Sequence, residues 1–200
     1  MRSEKRQARM EEIEAEAYRL FSSHGFDSTS MLAVAKAAKA SNETMYRWYG
    51  DKAGLFASMV KANAAEVREV LKAALAGRTA PEKALHGFAP VLLGMLLGER
   101  AILLNRAAAS DPTGSLGALL AQGGREDVLP LIRDVLTELE AAQVIAVPEG
   151  WDAGALLVKL LVGDSQVRRI IGTMAAPTDA EVAAQAAQGV AQFLALCASK

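Results

Sequence analysis

The chain has 200 residues, of which 52% are hydrophobic, and a formal net charge of −1. This length fits one or two domains, and the hydrophobic fraction is ample for a buried core. A net charge near zero gives no global argument for nucleic-acid binding, so that function has to rest on local charge. The single cysteine, Cys197, excludes an intrachain disulfide and a metal site built from several cysteines.

No segment has the composition of a secretory signal or a membrane span. The first residues, MRSEKRQAR, are basic and polar. No apolar run reaches the roughly 18 residues that a membrane span needs, because Lys159 interrupts the richest one. We therefore expect a cytoplasmic protein with no membrane partner.

The apolar residues recur mainly at helical spacing, and no run alternates with the period of a strand. Alanine, which favours helix, supplies much of the hydrophobic content. The sequence therefore predicts an all-α fold. Residues 1–8 are expected to be a frayed basic arm, and a first helix follows to about Ser23. The arm and the residue after it carry Arg2, Lys5, Arg6 and Arg9, which are either solvated or in contact with phosphate.

Residues 29–56, TSMLAVAKAAKASNETMYRWYGDKAGLF, predict two short helices around a tight turn and the start of a third helix. Thr29 and Ser41 are the predicted N-caps of the two short helices. The buried stripe of the second helix is Met45, Trp48 and Tyr49. Its other face is a continuous polar arc of Asn42, Glu43, Tyr46 and Arg47. This pattern fits a helix-turn-helix whose second helix lies in a DNA major groove.

The remaining sequence predicts a larger helical domain. A long helix over about 53–76 is expected to link two domains mechanically. Thr79 to Glu82 has the pattern of a capping box, which predicts the start of a central, buried helix that ends near Leu97. Further helices are expected over 99–110, 126–143, 152–174 and 179–198.

The central helices offer candidates for a ligand pocket, although a structural role is the plainer interpretation. Asn105 and Arg106 interrupt an apolar helix, where they are either exposed or turned toward a ligand. The apolar candidates are either core or pocket wall. The candidate ligand-binding set is Phe88, Leu92, Met95, Asn105, Arg106 and Trp151. A separate polar group is expected on a solvated or interface face: Asp164, Gln166, Arg168 and Arg169.

The sequence gives no support to an enzyme. It contains no phosphate-binding glycine loop, no His-Glu metal motif and no nucleophile elbow. His24 and His86 are far apart and have no partner motif, so we assign neither to metal binding or catalysis. We predict no cofactor, no catalytic residue and no metal site.

The helix-turn-helix stretch resembles the tetracycline-repressor-like (TetR) family of bacterial transcription regulators. The resemblance covers about the first quarter of the chain. Three positions depart from the family pattern: Lys39 replaces a turn glycine, Glu43 replaces a glycine, and Ala53 replaces a glutamate. The matching positions are Gly25-Phe26, Thr29, Val34-Ala35, Ala38, Ala40-Ser41, Thr44-Met45-Tyr46, Trp48-Tyr49, Asp51-Lys52 and Leu55-Phe56.

The resemblance implies a three-helix DNA-binding domain over residues 1–52 and a ligand-binding and dimerisation domain over 53–200. It also implies a homodimer through the last two helices, double-stranded DNA as partner and an unidentified small-molecule effector. The implied phosphate contacts are Thr29, Thr44, Tyr46 and Lys52. The implied base contacts are Asn42, Glu43 and Arg47, and Ser41 belongs to the same DNA-binding set.

The function that follows is a ligand-responsive regulator, most simply a repressor that leaves a palindromic operator when a small apolar effector binds. An activator is a second option that the sequence leaves open. The alternative from another class is a helical adaptor that keeps the fold without reading DNA. Glu43 and Arg47 are four residues apart and could also pair with each other, which stabilises a helix by only about 0.2–0.5 kcal/mol.

Overall fold

The computed structural model describes residues 2–78 and 80–199, apart from the side chains of residues 2, 3 and 78. Within this part the chain is helical without strands, and Ile145 and Ala198 form an isolated bridge. The all-α prediction is confirmed. The helices are α1 (Arg2–His24), α2 (Met31–Ala37), α3 (Asn42–Tyr49), α4 (Lys52–Asn63), α5 (Ala65–Ala73), α6 (Pro81–Leu97), α7 (Glu99–Ser110), α8 (Ser115–Leu120), α9 (Glu126–Ala141), α10 (Ala153–Val162), α11 (Ser165–Ile170) and α12 (Asp179–Leu196).

The chain divides into two compact units. Unit 1 consists of Met1–Ala62 and Leu103–Leu120, and unit 2 consists of Asn63–Ile102 and Ala121–Lys200. Helix α7 therefore begins in unit 2 and ends in unit 1. The functional boundary at residue 52 stays a prediction.

Unit 1 is built around the apolar faces of its helices. Phe26, in the loop after α1, packs edge-on against Phe21 and Phe56, with ring centres 5.1 and 5.6 Å apart. Such aromatic pairs add to the free energy that burial already supplies. The buried core includes Ile13, Ala17, Val34, Met45, Leu55, Phe56, Met59, Leu104 and Leu116.

Helix α1 begins earlier than the sequence predicted, at Arg2 rather than after residue 8. The expectation of a frayed arm was wrong. Polar pairs at helical spacing support this first part of α1, since Gln7 bonds to Glu11 at 3.0 Å and Arg9 pairs with Glu12. The side chain of Arg2 lies outside the described residues.

Two helices that the sequence predicted as continuous are broken. The helix expected over 53–76 is interrupted at Ala64, with φ −89° and ψ 1°, so that α4 and α5 are separate. A wide turn, Ala74–Arg78, follows α5. The helix expected over 152–174 is interrupted at Gly163, whose φ of 51° and ψ of −129° are not helical. Glycine tolerates such angles and therefore permits the break.

Unit 2 is centred on α6, which the sequence predicted to be buried. Pro81 occupies the first turn of α6, as expected, whereas Thr79 lies outside the described residues. Close packing of α12 on α10 requires Gly189, because a Cβ there would lie 3.0 Å from the Leu160 carbonyl oxygen. The buried core includes Leu85, Phe88, Leu92, Leu93, Leu97, Ile132, Val135, Leu136, Leu157, Leu161, Val190 and Phe193.

In the described part of the chain, no single helix is both long and apolar enough to cross a membrane. The pair Pro81–Leu97 and Glu99–Ser110 meets that test of length and composition only when taken together, with a bend of 51° between the two helices.

Candidate nucleic-acid interface

Helix α3 is fixed at both ends by groups that its sequence supplies. The Ser41 Oγ accepts a hydrogen bond from the Thr44 amide at 3.1 Å, which confirms Ser41 as the N-cap. The same hydroxyl donates to the Thr44 Oγ1 at 2.9 Å. Gly50 ends the helix at a φ of 77°, a conformation that glycine adopts without steric cost. The termini of α3 are therefore defined by local sequence.

One face of α3 is buried and anchors the helix in unit 1. Met45 and Tyr49 are buried, as predicted, whereas Trp48, which was also predicted to be buried, is only half-buried. The Tyr49 hydroxyl has no hydrogen-bond partner within the described residues. Burial raises the pKa of this phenol, and the negative charge of Glu14 raises it further, whereas Arg6 acts in the opposite direction. Tyr49 therefore remains neutral and contributes to packing rather than to charge.

The opposite face of α3 is exposed and polar. Asn42, Glu43, Tyr46 and Arg47 are all exposed, and Tyr46 keeps 56% of its surface accessible. The Arg47 Nη1 lies 3.5 Å from the Glu43 Oε1, so the predicted i, i+4 contact is present. Both side chains are mostly exposed, and such pairs contribute little to stability. A ligand of complementary charge could separate them at small cost.

The structure revises the role that the sequence predicted for Thr29. The N-cap of α2 is Ser30, whose side chain accepts from the Ala33 amide at 3.1 Å, so the N-cap prediction for Thr29 was wrong. Thr29 is only 3% exposed, and its hydroxyl donates to the Gly25 carbonyl at 2.8 Å. A buried hydroxyl with this bond closes the loop after α1 and offers no surface to phosphate.

Lys52 is likewise directed inward. Its Nζ donates to the carbonyl oxygens of Phe26, Asp27 and Thr29 at 2.9, 3.2 and 3.1 Å. An ammonium group has three N–H donors, so these bonds use all of them. The cation also lies 4.3 Å from the centre of the Phe26 ring. Lys52 thus ties the start of α4 to the loop before α2, and in this state it has no donor left for phosphate.

Two arginines of α1, which the sequence associated only with solvent or phosphate, contact the helix-turn-helix itself. The Arg6 guanidinium lies 5.4 Å from the centre of the Trp48 ring. Arg9 donates to the carbonyls of Ala38 and Lys39, in the turn between α2 and α3. The two arginines are three residues apart and therefore lie on one face of α1. This spacing is the feature of the sequence that could have indicated a shared contact surface.

The family model described as "Bacterial regulatory proteins, tetR family" matches residues 13–59. This span contains the whole helix-turn-helix and most, though not all, of the core that supports it, since Leu104 and Leu116 lie outside it. Residues 13–59 therefore form a helix-turn-helix region of the TetR type. The resemblance that the motif indicated is confirmed. No curated protein sequence is similar enough to this chain to count as a match.

Solved TetR-family structures share the fold over almost the full length of the chain. A TetR-family transcriptional regulator from Mesorhizobium loti is 26% identical, with a TM-score of 0.76 over 95% of this chain and 96% of that one. A TetR transcriptional regulator from Agrobacterium tumefaciens is 26% identical, with a TM-score of 0.74 over 96% and 95%. The flavonoid-responsive regulator FrrA is 26% identical, with a TM-score of 0.69 over 97% and 99%.

The residues that the sequence predicted to bind a ligand do not fall in one unit. Phe88 and Leu92 are buried in the core of unit 2, and Met95 is half-buried beside it. Trp151 is 50% exposed, which rules out the plain core position that the sequence also allowed. Asn105 and Arg106 belong to unit 1. Ligand binding by these residues stays a prediction.

Arg169 differs from the expected solvated or interface position. It is only 6% exposed, and its Nε donates to the Leu97 carbonyl at 3.1 Å. Its Nη2 donates to the Glu99 carboxylate at 2.5 Å and its Nη1 to the Met174 carbonyl at 3.3 Å. Gln166 bonds similarly to the Leu96 carbonyl at 3.0 Å. These residues of α11 satisfy carbonyls at the end of α6, where intrahelical donors run out.

Proposed function

We propose that this protein is a ligand-responsive regulator that binds double-stranded DNA as a homodimer and represses transcription in the cytoplasm. The proposal rests on one observation: α3 has an exposed polar face, and its opposite, apolar face is buried in unit 1. A recognition helix needs this combination. Its apolar face must be held rigidly while its polar side chains reach the edges of the DNA bases. The TetR family and the relatives named as transcriptional regulators support the same function.

The proposed contacts fall into two classes. Asn42, Glu43 and Arg47 read base edges, because amide, carboxylate and guanidinium groups match adenine, cytosine and guanine respectively. Thr44 and Tyr46 bind phosphate together with the N-terminus of α3, which Ser41 caps. Thr29 and Lys52 make no direct DNA contact in this arrangement, because their polar groups are engaged inside unit 1.

We propose a homodimer through the C-terminal helices because some of their apolar side chains are exposed. Most of the apolar stripe of α12, including Val190 and Phe193, is buried within the chain and is not available to a partner. Val167, Ile171 and Leu196 remain 59, 65 and 52% exposed. A twofold dimer would place its two recognition helices about 34 Å apart, or a multiple of it, which requires a near-palindromic operator.

The proposed effector is a small, mostly apolar molecule that binds beside α6. The relative FrrA, whose name describes it as flavonoid-responsive, supports a small organic effector. Such a molecule releases the operator only if it binds the DNA-incompetent conformation better than the competent one. A thermal-shift screen of small aromatic and acyl compounds on the intact protein would identify candidates. A compound that raises the melting temperature and weakens DNA binding fits the proposal.

The decisive experiment uses duplex DNA from the region upstream of the protein's own gene, titrated at several salt concentrations. The repressor hypothesis predicts specific binding that weakens steeply with salt. The double variant Tyr46→Ala, Arg47→Ala should lose this binding, whereas Arg19→Ala, an exposed arginine on α1, should retain it. Binding that survives the double variant contradicts the assigned contacts. Absence of sequence-specific binding favours the adaptor, and an operator upstream of the promoter favours an activator.

A further inference from the structure

Lys39 closes α2 in a left-handed conformation, with a φ of 51°. Its amide donates to the Lys36 carbonyl at 3.2 Å, and the Ala40 amide donates to the Ala35 carbonyl at 2.8 Å. These two bonds form the Schellman arrangement, in which the left-handed position is usually glycine. A lysine is strained there because its Cβ crowds the following carbonyl oxygen.

Arg9 of α1 reaches the same turn from a distant part of the sequence. Its Nη2 donates to the Ala38 carbonyl at 2.6 Å and to the Lys39 carbonyl at 2.9 Å. Its Nη1 pairs with Glu12, one turn further along α1, which fixes the direction of the guanidinium. Carbonyls at the end of a helix lack intrahelical donors, and a charged donor makes a stronger hydrogen bond with them than a neutral one.

We infer that Arg9 is a positioning residue, which holds the α2–α3 turn in the left-handed form that Lys39 disfavours. Without Arg9, the turn relaxes in part of the population, and α3 leaves its orientation in those molecules. We call this contact of Arg9 with the Ala38 and Lys39 carbonyls the turn clamp. The existence of the turn clamp needs no assumption about DNA, whereas its effect on operator affinity rests on the proposed function. The family model matches only residues 13–59, so the family pattern gives no role to Arg9.

The competing role for Arg9 is a direct phosphate contact, since its side chain keeps 34% of its surface exposed. The two roles differ in what restores binding. A turn clamp becomes dispensable when residue 39 is glycine, because glycine adopts the left-handed conformation without steric cost. If Arg9 instead contacts phosphate, glycine at residue 39 does not restore the DNA binding that is lost with Arg9.

The first test is amide hydrogen exchange of Ala40 in the intact, DNA-free protein. Arg9→Met keeps the aliphatic stem and a similar helix propensity but removes the donors. We expect Ala40 to exchange about tenfold faster in this variant, as befits the loss of charge-assisted hydrogen bonds. In the double variant Arg9→Met, Lys39→Gly, removal of the strain should slow exchange again by about tenfold, to near the parent rate.

Arg19→Met is the matched control, because Arg19 lies on the same helix and pairs with Glu16 across three residues, as Arg9 pairs with Glu12. It should leave the exchange of Ala40 unchanged. An Ala40 amide that is insensitive to Arg9→Met, or equally sensitive to Arg19→Met, overturns the inference. If Arg9→Met does not fold, Arg9→Lys should give a smaller acceleration that Lys39→Gly again reverses.

The second test measures affinity for the upstream duplex in the parent, the two single variants Arg9→Met and Lys39→Gly, and the double variant. Arg9→Met alone should weaken binding, because only the fraction with a native turn binds. Arg9→Met should leave the dependence of the binding constant on salt concentration unchanged. When it is added to Lys39→Gly, it should have little effect on DNA affinity. A slope reduced by about one, with no rescue by glycine, identifies a phosphate contact and rejects the clamp. If the parent binds no DNA, the proposed function fails, while Ala40 exchange still decides the clamp.

Discussion

The Lys52 ammonium lies 2.9 Å from the Phe26 carbonyl oxygen and 4.3 Å from the centre of the Phe26 ring. One cation thus binds both the backbone and the side chain of the residue that packs against Phe21 and Phe56. The family resemblance assigns this lysine to DNA phosphate, whereas its contacts show a residue that ties α4 to the loop between α1 and α2.

The first prediction is that Lys52→Met lowers the free energy of unfolding by about 2 kcal/mol, because charge-assisted hydrogen bonds are lost. Chemical denaturation measures this change. The control Lys36→Met, an exposed lysine on α2, should shift stability by less than about 0.5 kcal/mol. In DNA titrations at varied salt, Lys52→Met should keep the parent slope. A stable variant with a slope reduced by about one would restore the phosphate role.

The second prediction concerns Glu43, the carboxylate that this chain places on the recognition helix. Glu43→Gln removes a negative charge from the exposed face and the pairing with Arg47. Binding to a scrambled duplex should therefore tighten, while discrimination between operator and scrambled duplex should fall by about 1–3 kcal/mol.

Competition titrations with the two duplexes measure that discrimination. Glu66→Gln, an exposed carboxylate on α5, changes the net charge equally and should leave discrimination unaltered. Unchanged discrimination in Glu43→Gln would show that Glu43 does not read bases. Stability should move by no more than about 0.5 kcal/mol, since the lost pair is exposed.

The third prediction is that Arg169→Met lowers the free energy of unfolding by about 3 kcal/mol. The substitution leaves the Leu97 and Met174 carbonyls without the donor that Arg169 supplies, and buried polar groups that lose a charged partner are costly. Arg168→Met, on the adjacent exposed residue, is the control and should change stability by less than about 0.5 kcal/mol. Equal effects of the two variants in urea denaturation would contradict this role for Arg169.

The fourth prediction is a pH dependence at Asp152, which caps α10 and pairs with Arg133. The hydrogen bond from Arg133, followed by that from the Ala155 amide, lowers the pKa of Asp152 from 3.8 to about 2. Because the folded-state pKa is depressed, this stabilisation is present above pH 3.8 and is lost as the pH falls through about 2.

Urea midpoints measured down this pH range should therefore converge for the parent and Asp152→Asn. Asparagine is a comparable N-cap, so the variant isolates the charge. Arg133→Met should remove most of the same difference, since the Arg133 hydrogen bond is the largest cause. A difference in urea midpoint between the parent and Asp152→Asn that stays constant at all pH values would show that ionisation of Asp152 does not affect stability.

The all-α class, the helix-turn-helix and the polar face of α3 could be predicted from the amino-acid sequence. These features depend on local causes: apolar residues at helical spacing, the Ser41 and Asp152 caps, and Gly50 at a helix end. A side chain that caps its own helix or lies on one face of it acts within a few residues, so the sequence contains the whole interaction.

The direction of the long basic side chains, by contrast, depended on the tertiary fold. Three basic side chains bind carbonyls that are 23 to 72 residues away in the sequence, namely those of Arg9, Lys52 and Arg169. The one nearer partner is the Met174 carbonyl, five residues beyond Arg169. In the sequence each of these residues is simply a basic residue on a helix, and exposure to solvent or phosphate is the natural expectation. The contacts of a long basic side chain depend on which carbonyls the fold brings within reach, and residue spacing carries no information about that.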